Sequence, residues 1–147
     1  MTLYYADTSA LARAYLADEV DHAELRSLLL ESGNLVVTSE ITRLELASAM
    51  RTAHVAGRLD RWKELLASVD ADMAEHGVVS PIDLRPAAVL GTAYRLVLEH
   101  RLRPLDAIHV AVCSEECPSL AGDDEVVFVT RDDLQAVAAR AIGLSVA

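Results

Sequence analysis

Aromatic residues are scarce in this sequence: tryptophan, tyrosine and phenylalanine together make up 4% of its 147 residues. Leucine, valine, isoleucine and alanine must therefore form the core, and the many alanines favour closely packed helices. A chain of this length fits one domain and buries roughly two thirds of the surface that its unfolded form would expose. We therefore expect a single domain over residues 1–147.

The sequence also lacks any long apolar run. None approaches the roughly 20 apolar residues that a membrane-spanning helix needs, and residues 1–6 lack the basic start of a signal peptide. The only cysteines are Cys113 and Cys117, whose spacing places them on one face of a helix, where a disulfide would constrain almost nothing. A zinc site there would need two further ligands. These absences predict a soluble cytoplasmic protein with reduced thiols and no membrane segment.

Positive charge is in deficit, since 13 lysine and arginine residues stand against 23 acidic ones and the net charge is −10. A DNA-coating protein normally presents a basic face, so this balance argues against that class. It is compatible with an enzyme whose acidic pocket is neutralised by a divalent metal, or with attraction of a basic partner. Lys63 is the only lysine, which disfavours phosphatase or receiver-like domains that pair a nucleophilic aspartate with a lysine.

Short apolar segments alternate with longer helical ones along the whole chain. The segments that read as strands are residues 3–6, 35–37, 78–79, 125–129 and 144–146. The segments that read as helices are residues 10–16, 22–31, 40–55, 59–75, 84–100, 104–117 and 130–141, with a polar loop over 118–124. This alternation predicts an α/β fold with a central, mainly parallel sheet flanked by helices. The two consecutive helices over residues 40–75 form an inserted helical hairpin.

Four carboxylates stand out against this pattern. Asp7 directly follows the first strand, and Asp132 lies three residues after Val129, the end of the clearest strand. In an open parallel sheet, ligand sites form beyond the carboxyl ends of the strands. Glu45 and Asp106 are less obvious, because each is an acid inside an otherwise helical and largely apolar run.

Each of these acids also has a purely structural interpretation. Asp7 would cap the first helix, which is worth about 1 kcal/mol, while Asp106 and Asp132 would complement the dipoles of their helices. Glu45 would be a solvated residue paired with an arginine of its own helix. Converging acids, in contrast, would repel one another unless a cation neutralised them. Oxygen ligands suit Mg²⁺ or Mn²⁺ better than Zn²⁺, and such an ion activates water for phosphodiester hydrolysis.

The segments around the four acids resemble, in order, the four motifs of PIN-domain ribonucleases, and most closely those of VapC-type toxins of bacterial toxin–antitoxin pairs. The four segments are Tyr5–Leu11 (YADTSAL), Thr42–Leu46 (TRLEL), Leu105–Ala111 (LDAIHVA) and Phe128–Asp132 (FVTRD). The resemblance covers essentially the whole chain. It implies a single PIN-like domain with the activity of a metal-dependent ribonuclease.

Under this resemblance the four acids are the catalytic and metal-binding residues. Asp7, Glu45 and Asp106 match the three main acids of the family, and Asp132 matches the fourth, with Asp133 as a nearby competitor. Together they would hold one or two Mg²⁺ or Mn²⁺ ions. The implied reaction is hydrolysis of single-stranded RNA, or of an exposed RNA loop, by metal-activated water without a protein nucleophile.

The resemblance also points to supporting residues. Thr8 or Ser9 matches a hydroxyl near the first acid, and Thr130 matches a residue that supports the site. His109 lies three residues after Asp106 on the same helix, and we interpret it as a structural histidine in preference to a contact to metal or substrate. Arginines suited to gripping phosphate are Arg13, Arg43, Arg101, Arg103 and Arg131.

A VapC-type toxin implies a homodimer and a cognate antitoxin that inserts a segment near the acidic pocket. Trp62, the only tryptophan, lies in the inserted hairpin and would either pack between its helices or anchor the antitoxin. Two alternative functions stay open. One is a PIN-type nuclease that acts in RNA processing, and the other is a non-enzymatic α/β binding module with weak affinity for Mn²⁺.

Overall fold

The computed structural model describes residues 1–147 and contains a five-stranded sheet in which all neighbouring strands are parallel. The strands are β1 (Thr2–Ala6), β2 (Leu35–Ser39), β3 (Val79–Ile82), β4 (Glu125–Val129) and β5 (Ser145–Val146). Their order across the sheet is β3-β2-β1-β4-β5, so β1 is the central strand. This confirms the predicted α/β fold with a parallel sheet.

Seven helices connect and cover the strands. They are α1 (Thr8–Tyr15), α2 (His22–Arg26), which continues as a π-helical turn (Ser27–Glu31), α3 (Ile41–Val55), α4 (Trp62–Asp72), α5 (Pro86–His100), α6 (Pro104–Ala121) and α7 (Asp133–Ala141). No helix combines the length and the apolar character that crossing a membrane requires.

Prolines account for two differences from the sequence-based prediction. The helix predicted to end at Cys117 continues through Pro118 to Ala121, and its cap Gly122 adopts a φ of 61° and donates its N–H to the Pro118 carbonyl. Pro118 lies exposed in the last turn of the helix, where water can replace the one backbone hydrogen bond that it removes. Pro81 lies within β3 rather than after it, which is tolerated because β3 is an edge strand.

The sheet is covered on both faces, and β1 contributes alternately to each. Leu3 and Tyr5 belong to one buried cluster, which contains residues of α5, α6 and α7. Ala6 belongs to a second cluster, which contains residues of α1, α2, α3 and α4 and against which Tyr4 packs. This alternation is what a strand buried on both faces requires.

The order of the strands determines where a crevice opens. From β1 the chain crosses to β2 on one side of the sheet, and later it returns to β4 on the other side. The segments that follow β1 and β4 therefore run away from each other at this point, where the strand order reverses. They leave a crevice beyond the carboxyl ends of these two strands. Asp7 is the residue that directly follows β1, so it lies at this position.

The inserted helices α3 and α4 pack together as a hairpin. Arg43 of α3 forms an ion pair with Asp70 of α4, with 2.6 Å between Nε and Oδ1. Trp62 at the start of α4 stacks on His54, with 5.7 Å between ring centroids, and the guanidinium of Arg51 lies 5.2 Å from the tryptophan ring. The Trp62 ring therefore packs between the two inserted helices.

Two glycines give opposite expectations for substitution by alanine. A β-carbon at Gly77 would lie 2.1 Å from the Asp72 carbonyl oxygen, whereas one at Gly91, inside α5, meets no atom within 4 Å. We expect Gly77→Ala to destabilise the protein by about 2 kcal/mol or more, and Gly91→Ala to stabilise it by about 0.5–1 kcal/mol. Urea unfolding of both variants checks this, and shifts of the same sign would contradict it.

Candidate active site

Asp7 is a buried carboxylate held by donors from two parts of the chain. Its side chain is 2% exposed, and its Oδ1 accepts the Ala10 N–H at 2.9 Å, which caps α1. The Ser9 hydroxyl lies 2.8 Å from Oδ1 and 3.0 Å from Oδ2, and the Thr130 hydroxyl donates to Oδ2 at 2.9 Å. Thr130 directly follows β4, so these bonds join the ends of the two central strands.

Burial raises the pKa of Asp7, because a charged carboxylate loses its hydration inside the protein. The Ala10 N–H, the nearby His109 and the hydroxyls of Ser9 and Thr130 oppose this effect by favouring the charged form. The predicted supporting role of Ser9 and Thr130 thus corresponds to direct contact with the first acid. Ser9 Oγ also accepts the Arg131 N–H at 2.9 Å, which extends the network into the loop after β4.

Glu45 reaches the same edge of the sheet from α3. Its Oε1 accepts the hydroxyl of Thr8 at 2.8 Å and lies 2.6 Å from Nε2 of His109. Burial raises the pKa of Glu45, but the hydrogen bond and charge of His109 and the bond from Thr8 outweigh it, so the net shift is downward. The interpretation of Glu45 as a solvated partner of an arginine in its own helix is wrong.

Asp106 lies in the first turn of α6 and Asp132 at the start of α7, and Gln135 connects the two helix ends. Asp132 caps α7, with Oδ1 accepting the Gln135 N–H at 2.8 Å, and the Gln135 side chain donates to the Asp106 carbonyl at 3.2 Å. Asp106 is half-buried in the first turn of α6, and no hydrogen bond to its carboxylate is present. Asp133, the alternative fourth acid, is exposed.

The pKa of Asp106 is raised, in part because two of the other acids are nearby. Burial raises it most, and the charges of Asp132 and Glu45 raise it further, while His109 and Arg103 lower it. Asp132 and Glu45 therefore both lie within electrostatic range of Asp106. His109 and Thr8 connect Glu45 to the segment that carries Asp7.

The chemistry of these donors fits Mg²⁺ or Mn²⁺, but the side chains do not form a coordination shell as they stand. No group of three or more histidine, cysteine, aspartate or glutamate side chains lies close enough to hold a metal ion. The donors are all carboxylate oxygens, which these hard cations prefer. A bound cation would also relieve the repulsion that raises the pKa of Asp106.

The arginines proposed for phosphate contact separate into two groups. Arg43 is paired with Asp70, and Arg131 is paired with Asp21 at 3.0 Å and with Glu24. Arg103 forms no ion pair, is exposed, and lies near enough to Asp106 to lower its pKa. Arg103 is therefore the arginine best placed to meet a phosphate at the acids.

Tyr5 and His109 belong to the network and were missed or undervalued by sequence reasoning. His109 is 1% exposed, and its Nδ1 lies 2.8 Å from the hydroxyl of the fully buried Tyr5. The position of His109 three residues after Asp106 was a signal that both face the same side of α6. Nothing in the local sequence connects Tyr5 to the acids, because the contact spans 104 positions along the chain.

The raised pKa of Asp106 predicts a stability that depends on pH. The folded protein favours the protonated carboxyl, so this contribution to stability is present below the ordinary value of 3.8 and is lost as the pH rises through the raised value. At pH 7 without metal, Asp106→Asn should therefore raise Tm. We expect at most about 2–4 °C, the shift that ~1 kcal/mol causes in a chain of this size.

Thermal melts in chelator at pH 7 and at pH 3.5 measure this effect. Asp133→Asn is the matched control, because it removes the same charge from an exposed position near Asp132. The gain from Asp106→Asn should shrink at the lower pH and should exceed that of the control at pH 7. Equal gains in both variants would mean that only the net charge matters.

Comparison with known proteins places this geometry in a family. No curated protein matches the sequence. The fold is similar to that of PAE2754 from Pyrobaculum aerophilum, with a TM-score of 0.67 and 19% identity over 99% of this chain and 83% of that protein. It is also similar to VapC20 of Mycobacterium tuberculosis, a sarcin-ricin loop cleaving toxin, with a TM-score of 0.61 and 17% identity over 91% of this chain and 94% of that one.

At these identities the two similar structures share the fold with this chain. The family itself is shown by the sequence, because the PIN domain matches residues 4–141 and so includes all four acids. The predicted resemblance is confirmed: the protein belongs to the PIN-domain family.

Proposed function

We propose that this PIN domain is an endoribonuclease that depends on Mg²⁺ or Mn²⁺ and serves as the toxin of a type II toxin–antitoxin pair. The observation that carries the proposal is the hydrogen-bonded network at the carboxyl edge of the sheet. It joins Asp7 to Thr130, 123 positions away, and Thr8 to Glu45, 37 positions away. PIN domains are nucleases, and a network that includes both Asp7 and Glu45 supports the assignment of these two acids to one site.

In this mechanism Asp7, Glu45, Asp106 and Asp132 hold the metal. The bound ion would activate a water molecule and stabilise charge on the phosphoryl oxygens. The side chains of this protein supply orientation and charge. Ser9 and Thr130 hold the Asp7 carboxylate, and Thr8 holds Glu45. Asp106, which accepts no hydrogen bond, is the acid with both oxygens available to a cation.

Recognition of the phosphate would come from Arg103. It is exposed at the N-terminus of α6, three residues before Asp106, and it forms no ion pair. A guanidinium there would grip a phosphate beside the acids. RNA is the proposed substrate because the fold is similar to that of VapC20, a sarcin-ricin loop cleaving toxin.

A cleavage assay tests the proposal. Purified protein without a partner is incubated with a mixed RNA pool in Mn²⁺, in Mg²⁺ and in chelator. We expect cleavage only with metal, and a loss of about 100-fold or more in Asp106→Asn, because an electrostatic contribution to the transition state is removed. Asp133→Asn, at an exposed position, should retain activity close to that of the wild type and is the matched control.

Three outcomes distinguish the candidate functions. Cleavage that continues in chelator would contradict metal dependence. Absence of cleavage together with tight binding of Mn²⁺, lost in Asp106→Asn, would point to a nuclease with a selective target, as in RNA processing. Absence of both cleavage and metal binding would favour the non-enzymatic binding module.

An antitoxin partner is the next part of the proposal. A cavity of about 310 Å³ opens between α3 and α4, and Leu44, 76% exposed, lies at its wall beside Glu40 and Asp70. Arg43 also lines this groove and is paired with Asp70, so Glu40 is the acid there without an ion pair. An apolar groove with one such carboxylate suits an amphipathic segment that carries a basic residue. An arginine of that segment would inhibit the enzyme by pairing with the carboxylates in place of the metal.

We also propose that the protein forms a homodimer through α5. Leu90, Tyr94 and Leu98 recur every four residues and are 47%, 67% and 64% exposed, so they form one apolar stripe on the surface. Residues at this spacing lie on one side of a helix, and neighbouring exposed apolar side chains mark sites of protein–protein interaction. A second copy of the chain would cover it.

Light scattering coupled to gel filtration checks the dimer. Tyr94→Glu should convert the protein to a monomer at micromolar concentration, because it places a charge in the middle of an apolar interface. Val55→Glu is the matched control, since Val55 is 71% exposed at the end of α3, away from the stripe. A wild-type protein that elutes as a monomer would contradict the proposal.

A further inference from the structure

His109 is buried, and both of its ring nitrogens have partners. It lies in α6 with 1% of its surface exposed. Its Nδ1 is 2.8 Å from the Tyr5 hydroxyl, and its Nε2 is 2.6 Å from Glu45 Oε1 and 3.1 Å from Thr8 Oγ1. The ring therefore connects the middle strand of the sheet to one of the four acids.

The chemistry of Glu45 determines the direction of its hydrogen bond. A carboxylate only accepts, so the proton in the 2.6 Å contact belongs to Nε2 of His109. The Tyr5 hydroxyl both donates and accepts, so it pairs with Nδ1 whichever way that bond runs. The two contacts therefore hold the imidazole ring in one orientation, with its Nε2 proton directed at Glu45.

The Tyr5 end of this arrangement is rigid. Tyr5 is fully buried in the central strand and stacks on Phe128, with 5.5 Å between the ring centroids and 13° between the planes. Its hydroxyl is therefore a fixed point within the core. Glutamate, in contrast, has three side-chain torsions and loses conformational entropy when it is held in one arrangement. A rigid donor that meets Oε1 reduces the freedom of Glu45 before any ligand arrives.

Glu45 is held through one oxygen only. Its Oε1 meets both the hydroxyl of Thr8 and Nε2 of His109, while Oε2 takes part in no hydrogen bond. Glu45 belongs to α3 and His109 to α6, and these helices pack on opposite faces of the sheet. The contact thus joins the two layers of helices at the edge where the acids lie.

We propose that His109, anchored by Tyr5, is a positioning residue that holds Glu45 through Oε1 and leaves Oε2 for a divalent cation. This inference rests on the proposed metal-dependent function. It goes beyond the four acids by assigning a role to two residues that do not themselves bind the cation. A histidine that only satisfied the Tyr5 hydroxyl in the core would be replaceable without any effect on metal affinity.

The first experiment uses the wild-type protein without metal. Nitrogen-15 NMR of the histidine side chains shows whether Nε2 of His109 carries a proton. We expect that it does. An Nε2 without a proton could not donate to Glu45 and would overturn the inference. No substitution is needed, so the folding of a variant does not affect the result.

The second experiment measures affinity for Mn²⁺ by titration calorimetry. Partners that orient a metal ligand typically contribute 10- to 100-fold to affinity, so His109→Leu should weaken binding by about that factor. His109→Gln keeps an N–H donor near the position of Nε2 and should recover part of the loss. Tyr5→Phe retains the stacked ring, removes only the hydroxyl, and should weaken binding less than His109→Leu does.

His76→Gln is the matched control. Its side chain is 91% exposed in the turn before β3, at the edge of the sheet opposite the acids. It should bind Mn²⁺ as the wild type does. Circular dichroism confirms that each variant is folded. If His109→Leu, His109→Gln and Tyr5→Phe all bind as tightly as the control, the positioning role is contradicted.

A double-mutant cycle with Glu45→Gln shows whether His109 acts through Glu45. In the Glu45→Gln background, His109→Leu should cause no further loss of affinity, whereas independent losses would overturn the inference. Asp106→Asn separates this failure from failure of the proposed function. If Asp106→Asn abolishes Mn²⁺ binding and His109→Leu does not change it, only the positioning role fails. If the wild type binds no Mn²⁺, both fail.

Discussion

The burial of the Asp7 carboxylate is the constraint on which the rest of this structure depends. A charged group that is 2% exposed must receive hydrogen bonds or lose its charge. Two of its donors, Ala10 and Ser9, are local to the first turn of α1, whereas the Thr130 hydroxyl reaches it only when β1 and β4 lie side by side. Pairing of the central strands therefore completes the set of hydrogen bonds that holds the first acid.

The acids serve the fold and the site together. Asp7 caps α1, as its structural interpretation required, and Asp132 caps α7, where only an effect on the helix dipole was expected. The capping bonds fix the carboxylates at defined positions, which is what a metal site needs. Asp106 lacks such bonds, and its pKa is raised by burial and further by repulsion from Asp132 and Glu45. The charged form of Asp106 is therefore disfavoured in the folded protein, and Asp106 is also the acid most available to a cation.

The sequence predicted the architecture well because periodicity and strand composition are local properties. β4 was predicted with the bounds that the structure has, Asp7 was placed directly after a strand, and Glu45 was placed inside the helix that contains it. The predicted element boundaries were wrong at two prolines, because the effect of a proline depends on where it lies in the tertiary structure. Pro118 was predicted to end a helix, but it lies exposed within the last turn, and Pro81 was excluded from a strand that is at the edge of the sheet.

By itself, the sequence determined the fold class and the family and singled out the four acids as candidates, since these depend on local pattern and on short motifs. Only the tertiary structure decided what each acid contacts. Glu45 bonds to His109 and Thr8 rather than to an arginine of its own helix, and the Tyr5 hydroxyl meets His109. These contacts join α3 and α6, which lie on opposite faces of the sheet. Contacts between residues so far apart in the sequence produce no local pattern from which they could be predicted.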